Sequence, residues 1–167
     1  MALKARTKTP LHPTQNDLPE KTRTAVIEAL APALAAAMDL YAQAKSAHWN
    51  VKGPSFISLH ELFDRVAEAA DGWADLLAER IVQLGGTAEG TAQVVVERSS
   101  LPPYPLEITQ GSEHTAALSR SLAAFGQQVR ALIDHTDSLG DKDTADICTE
   151  ISRACDKLLW FVEAHNA

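Results

Sequence analysis

Residues 55–84 carry one unbroken helical pattern, bounded by Lys52-Gly53-Pro54 before it and Gly85-Gly86 after it. A helix of that length is roughly 40 Å long at 1.5 Å per residue, and in water it has to shelter its apolar face against elements as long as itself. The rest of the chain supplies them. A first helix reads from Asp17 to about Asn50, with Asp17 as capping carboxylate, Pro19 in the first turn and Glu20 at the positive end. Val26, Leu30, Leu34, Ala37, Tyr41 and Ala44 fall on one face of it, and Pro32 inside it is expected to bend it. A third helix fits residues 112–136. A fourth, capped by Asp143, fits residues 143–164, with Gly140 ending the turn between them. The connection between the second and third helices is long; it holds a short helix around residues 93–98 and closes on Pro102, Pro103 and Pro105. Four long helices with one long middle connection predict an all-α four-helix bundle over residues 17–167.

Residues 1–16 do not fit the bundle. They are polar, basic and punctuated by proline, and read as a mobile tail. The whole chain has a formal net charge of −7, from 15 basic and 22 acidic residues, which argues against a basic nucleic-acid-binding domain. The charge is uneven, however: residues 1–23 hold Lys4, Arg6, Lys8, Lys21 and Arg23 against only Asp17 and Glu20. The longest uncharged apolar run, residues 29–38, is interrupted by Pro32, and residues 1–13 contain no apolar core of a secretory signal. Cys148 and Cys155 lie about 10 Å apart along a helix, too far for a disulfide. Two unpaired thiols and no membrane segment predict a cytoplasmic protein.

The chemistry-bearing residues gather on the second helix. His60 and Asp64 are spaced i, i+4 and leave the same face; Asp75 and Glu79 repeat that spacing fifteen residues later. Together with Asp71 they occupy roughly a 100° sector, and His48 stands at the end of the first helix. Acids alone on such a face are ordinarily just solvated. Here apolar Leu62, Phe63, Val66, Leu76 and Leu77 surround them, and carboxylates with imidazole form a ligand set for a divalent metal. His60 and Glu79 are roughly 28 Å apart along the axis, far beyond the reach of metal–ligand bonds of about 2 Å. An antiparallel second copy of the helix would set Asp75 and Glu79 of one chain beside His60 and Asp64 of the other. The two-fold axis would pass near Ala69 and Ala70, where the small residues of Ala67-Glu68-Ala69-Ala70-Asp71-Gly72 permit close approach. That arrangement makes two identical sites and an inactive monomer. A centre inside one bundle, built on Glu-x-x-His pairs, is disfavoured because no glutamate here has a histidine three residues later. Hydrolase elbows and phosphate loops are likewise absent from the sequence.

Several blocks together resemble the DNA-binding proteins from starved cells, the Dps family. These are Ala47-His48-Trp49-Asn50-Val51-Lys52-Gly53, then Phe56-x-x-Leu-His60-Glu-x-x-Asp64, then Asp75-x-x-Ala-Glu79-Arg80-x-x-x-Leu84-Gly85-Gly86. Asp143-Thr144-Ala145-Asp146-Ile147 and Asp156-Lys157-x-x-Trp160-Phe161 extend the likeness, which covers about residues 17–165. It implies a ferritin-like bundle assembled as a hollow homododecamer that oxidises Fe(II), with hydrogen peroxide as the preferred oxidant, and stores ferric mineral inside. His48, His60 and Asp64 take the roles of one subunit's ligands, and Asp75 and Glu79 those of its two-fold mate. Trp49 matches a tryptophan near the centre. In the acidic group Asp134, Asp137, Asp141, Asp143 and Asp146, the resemblance assigns Asp137 and Asp146 to a negative pore at a three-fold axis. Glu68 and Asp71 are then candidates to face the cavity and nucleate mineral. Non-specific DNA binding would fall to Lys4, Arg6 and Lys8 on the tail, and with it a nucleoid-associated location.

Two other readings stand beside the ferroxidase. One is a nucleoid-compacting shell with secondary metal binding; the other is a store for Zn(II), Mn(II) or Co(II), which the same donors accept. Deleting residues 1–16 separates the first two: a ferroxidase keeps its rate of iron oxidation, whereas a DNA-compacting shell loses DNA retention in a gel-shift assay.

Overall fold

In the computed structural model, which describes residues 10–165, the chain folds into five helices. They are α1 (Glu20–Asn50), α2 (Phe56–Gln83), the short α3 (Ala92–Arg98), α4 (Gly111–Ser138) and α5 (Lys142–Glu163). Short loops at 51–55 and 139–141 make antiparallel hairpins of α1 with α2 and of α4 with α5. The long connection carries α3 against α1 and returns the chain to start α4. The core is aliphatic and thin in aromatics: Leu30, Leu40, Phe63, Leu77, Ile81, Leu118, Leu122, Phe125 and Ile151 are all buried, and Trp73 stacks on Phe125 at 5.4 Å.

Helix α1 differs from its reading at its start and in its buried face. Its first turn begins at Glu20 with Pro19 in the capping position and no side-chain cap; Asp17 lies too early and is exposed, while the Asn16 side chain accepts from the Leu18 N–H at 3.0 Å. It runs through Pro32 without a break: one main-chain bond is forfeited, but residues 33–37 are buried and packing holds the helix. Finally, Tyr41 is 40% exposed and Leu40 is buried in its place, because α1 is covered by α2, α3 and α4 and its buried face is wider than one stripe. By length and composition α1 is apolar enough to cross a membrane; in the fold that apolar surface lies against the bundle.

The cap of α5 is Asp141, not Asp143. Its Oδ1 accepts from the Thr144 N–H at 3.0 Å, and its Oδ2 from the Thr144 hydroxyl at 2.6 Å. The same carboxylate receives Arg80 Nη2 at 2.7 Å, while Arg80 Nε donates to the Thr144 hydroxyl at 2.9 Å. Arg80 and Asp141 are 5% and 1% exposed, so the end of α2 is pinned to the α4–α5 turn by a buried, hydrogen-bonded ion pair.

A second polar network holds the proline-rich connection. Buried Gln43 donates to the Pro102 carbonyl at 3.1 Å and accepts from the Ser121 hydroxyl at 2.6 Å; Asp39 accepts from Gln43 and from the Ser99 hydroxyl. Tyr104 meets buried His114 at 2.6 Å. Both cysteines are free and buried, and desolvation pushes their thiols up to about 11 for Cys148 and about 12 for Cys155, so neither is a reactive thiolate.

The described part of the N-terminal segment lies along the end of α2. The His12 N–H donates to the Gly85 carbonyl at 2.7 Å, and Arg23 clamps the turn through the Leu84 and Leu18 carbonyls. Gly85 has φ +87°, and a Cβ there would stand 2.6 Å from the His12 carbonyl oxygen, so both backbone and space demand glycine. Lys4, Arg6 and Lys8 fall outside the described residues. A deletion ending at residue 9 therefore removes these cations and spares the His12 anchor.

Two stability measurements follow. Arg80→Met leaves the Asp141 carboxylate buried without its counter-charge, and urea unfolding is expected to register a loss of about 3–5 kcal/mol. Burial lowers the His114 pKa below the ordinary imidazole value. Below about pH 6.5 the unfolded chain then binds a proton that the folded chain resists. Stability should fall as the pH drops from there towards the folded-state value and level off beneath it. His114→Gln should flatten that part of the urea midpoint–pH curve.

Candidate metal centre

Short-range geometry at the α1–α2 reversal builds the centre. Val51 is extended and buried, the Lys52 N–H donates to the Thr109 carbonyl at 2.9 Å, and Gly53 turns the chain with φ +114°. This reversal lays the last turn of α1 over the first turns of α2. His48 and His60 stack with ring centroids 3.7 Å apart and planes 21° apart, and Phe56 lies 5.0 Å from the His60 ring.

Each imidazole is tied to the other's main chain: His48 Nδ1 is 2.8 Å from the His60 carbonyl oxygen, and His60 Nδ1 is 2.9 Å from that of His48. A carbonyl only accepts, so both Nδ1 atoms carry the hydrogen and donate. In the neutral ring the lone pair is then on Nε2, which is left as the nitrogen able to bind a metal. The clasp therefore fixes ring orientation and donor atom together.

Asp64 stands one turn beyond His60. Lys45 Nζ donates to its Oδ1 at 2.6 Å, and His48 Nδ1 is 3.8 Å from the same oxygen. The Lys45 hydrogen bond is the largest influence holding the Asp64 carboxyl below its ordinary pKa; desolvation opposes it, and His48 adds to it. Lys45 also lies 5.8 Å over the ring of Trp49, which is 68% exposed and borders the site from outside. Lys45 escaped the sequence reading, although its position three residues before His48, on the same helix face, was the available signal.

Asp75 and Glu79 are exposed farther along α2, with no ion-pair partner among the described residues. Asp75 borders a shallow depression with Asp71, Gly72, Ala74 and Ala78 of α2 and Met38 of α1. A Cβ at Gly72 would meet nothing within 4 Å. The small residues of this stretch divide: Ala67 and Ala70 are buried in the chain's own core, which leaves Ala69, Gly72, Ala74 and Ala78 on the outer side. Asp64 and Asp75 are roughly 16 Å apart along the axis. Among the described residues no three His, Cys, Asp or Glu side chains converge on one metal position. The clasp with Asp64 and the Asp75–Glu79 pair are thus two separate donor sets on one rod.

The acidic group at the α4–α5 turn also divides. Asp134, Asp137, Asp143 and Asp146 are exposed, whereas Asp141 is the buried partner of Arg80. Glu68 and Asp71 are exposed on α2.

Residues 27–167 match the ferritin-like domain family. The chain is 46% identical to the DNA protection during starvation protein of Agrobacterium fabrum over 154 residues, 92% of this chain and 95% of that protein. Its fold matches that of Dps from Microbacterium arborescens in the high iron form, with a TM-score of 0.83 and 33% identity over 91% of this chain and 97% of that one. Against Dps from Mycobacterium smegmatis the TM-score is 0.86 at 32% identity, covering 91% and 93% of the two chains.

The ammonium of Lys45 occupies an Asp64 oxygen and would compete with any metal that bound there. Calorimetric titration with Zn(II), a redox-silent ion for the same donors, is expected to give several-fold tighter binding to Lys45→Met than to wild type at neutral pH. Equal or weaker binding would show that Lys45 does not compete.

Proposed function

Because this chain belongs to the Dps family of ferritin-like proteins, we propose that it oxidises Fe(II) with hydrogen peroxide at centres shared between two subunits and stores the ferric product inside a dodecameric shell. The observation that carries this reading is the His48–His60 clasp, which commits both Nδ1 atoms to carbonyls and leaves two imidazole Nε2 donors on the helix turn next to Asp64. The rest of the donor set, Asp75 and Glu79, stands too far along the same rigid helix to join it. A second α2 running antiparallel brings the partner subunit's Asp75 and Glu79 to this clasp, and the outer small residues Gly72, Ala74 and Ala78 give it room.

Iron is the substrate here. Two imidazoles and carboxylates hold Fe(II) without filling its coordination sphere, which leaves room for peroxide. Each Fe(II) gives one electron; hydrogen peroxide takes two electrons and two protons, its O–O bond breaks, and two waters leave. Delivering both electrons to one peroxide avoids the single-electron cleavage that frees hydroxyl radical. Removing Fe(II) and peroxide together protects nearby DNA, the role carried in the name of the Agrobacterium relative.

Asp137 and Asp146 are exposed at the start and end of the α4–α5 turn and, repeated around a three-fold axis, form a negative ring that concentrates Fe(II) at an entrance. Glu68 and Asp71 face the cavity and nucleate mineral. Lys4, Arg6 and Lys8, multiplied over the shell, hold DNA phosphates through weak, salt-sensitive contacts without sequence preference. The protein acts in the cytoplasm, beside the nucleoid. The sequence charge favours a second reading to the extent that the cations gather in residues 1–23: a shell whose main work is DNA compaction.

Anaerobic Fe(II) oxidation started by peroxide tests the primary reading. Wild type should consume about two Fe(II) per peroxide well above the buffer rate. The double variant His60→Ala/Asp64→Ala should fall to the buffer rate with its assembly size unchanged in light scattering. Wild type no faster than buffer would remove the ferroxidase reading and leave DNA compaction in front.

A further inference from the structure

The Tyr104–His114 pair belongs to neither donor set. Tyr104 comes from the proline-rich connection and His114 from the first turn of α4. The phenol oxygen lies 2.6 Å from His114 Nδ1, the rings are 6.1 Å apart and inclined by 22°, and His114 is 1% exposed. Phe63 packs on His114 at 6.3 Å, and Phe63 is the residue three positions after His60 on α2. Gly111, one turn before His114, abuts Leu59, the residue before His60. Through Phe63 and Leu59, neighbours of His60 on α2, the pair is packed against the same end of α2 as the His48–His60 clasp.

Its protonation state is set by burial. Desolvation raises the Tyr104 pKa and lowers that of His114, so at neutral pH a neutral phenol faces a neutral imidazole. Among the described residues His114 Nε2 is buried without a hydrogen-bond partner, so the Tyr104 hydroxyl is the polar group that meets the ring, and we take the proton to sit on Nε2. Nδ1 then holds the lone pair and Tyr104 donates to it. A phenol gives up an electron readily only if its proton leaves with it, because the oxidised phenol is a strong acid. At 2.6 Å from an imidazole lone pair the proton has a place to go without water.

We propose that Tyr104 is a redox-active residue, with His114 as its proton acceptor, and that it supplies the second electron when a centre holding a single Fe(II) meets hydrogen peroxide. The inference rests on the ferroxidase reading. Tyr104–OH, one Fe(II), one hydrogen peroxide and one solvent proton give a Tyr104 phenoxyl radical, one Fe(III) and two waters. The O–O bond breaks, iron and phenol each lose one electron, and the phenol proton passes first to His114 Nδ1. The next Fe(II), with one proton, reduces the radical back to phenol and becomes Fe(III). A half-loaded centre thus still meets peroxide with two electrons.

The chain has two tyrosines, Tyr41 and Tyr104, which makes the test direct. Assembled protein is loaded anaerobically with one Fe(II) per centre, mixed with equimolar peroxide and frozen. Fe(III) absorbance and the electron paramagnetic resonance spectrum are then read on the same sample. The expected result is iron oxidation with a radical whose signal narrows when the tyrosines are ring-deuterated. It persists in Tyr41→Phe, is lost in Tyr104→Phe, and is strongly reduced in His114→Gln. Tyr104→Phe removes only the hydroxyl, so the ring still packs on His114. Iron oxidation without a signal, or with one unchanged in Tyr104→Phe or narrowed only by deuterated tryptophan, overturns the inference and leaves the ferroxidase standing. An undiminished signal in His114→Gln overturns the role of His114 as acceptor. Iron oxidised no faster than in buffer overturns the reading of the centre and the inference with it.

Discussion

At the α1–α2 reversal two imidazoles bond to each other's main chain, and the consequences spread outward from that clasp. Each Nδ1–H is committed to a carbonyl, so each ring keeps one lone pair in a fixed direction. The clasp also sets the register of α1 against α2: Lys45, one turn before His48, comes level with Asp64, one turn after His60. Because α2 is a rigid rod, fixing its first turns also fixes where Asp75 and Glu79 stand, roughly 22 Å or more along the axis from His60. Donors held this firmly so far apart on one helix cannot meet within a single chain.

The far end of that rod is secured by different physics. Arg80 follows Glu79 directly, points inward where Glu79 points outward, and meets the cap of α5 through a buried carboxylate. A buried ion pair is weak evidence of net stability, but its removal on one side only is costly. Here both Asp141 oxygens are engaged, Oδ1 by Arg80 and the Thr144 N–H and Oδ2 by the Thr144 hydroxyl. The outward acids of the same turn, Asp137 and Asp146, are left to solvent. The α4–α5 reversal therefore separates a buried structural carboxylate from exposed, solvated ones.

The long connection is the third fixed part. Gln43, Asp39, Ser99 and Ser121 tie it to the bundle, and Tyr104 reaches His114 through it. A proline-rich segment has few main-chain donors of its own, so side chains from α1 and α4 make its hydrogen bonds. That requirement brings a phenol into the interior at the level of the histidine clasp.

The helices lie within a few residues of where glycines, prolines and apolar periodicity put them, because those signals are local. The spacing of His60 with Asp64 and of Asp75 with Glu79, and the impossibility of joining them on one helix, needed only the rise per residue. Capping was less legible: Asp141 and Asp143 are equally good caps by type, and the choice of Asp141 came from Arg80, sixty-one residues away. Tyr41 and Leu40 exchanged places because three elements cover α1. Sequence alone thus determined an all-α bundle with an acidic body, a basic first segment, and ligand-type residues in two pairs on one face. Only the tertiary structure decided which imidazole nitrogen is free, that Lys45 neutralises Asp64, which acid is buried, and that Tyr104 meets His114. Each of these is a contact between residues distant in the chain, and their local patterns are compatible with many partners; packing selects one.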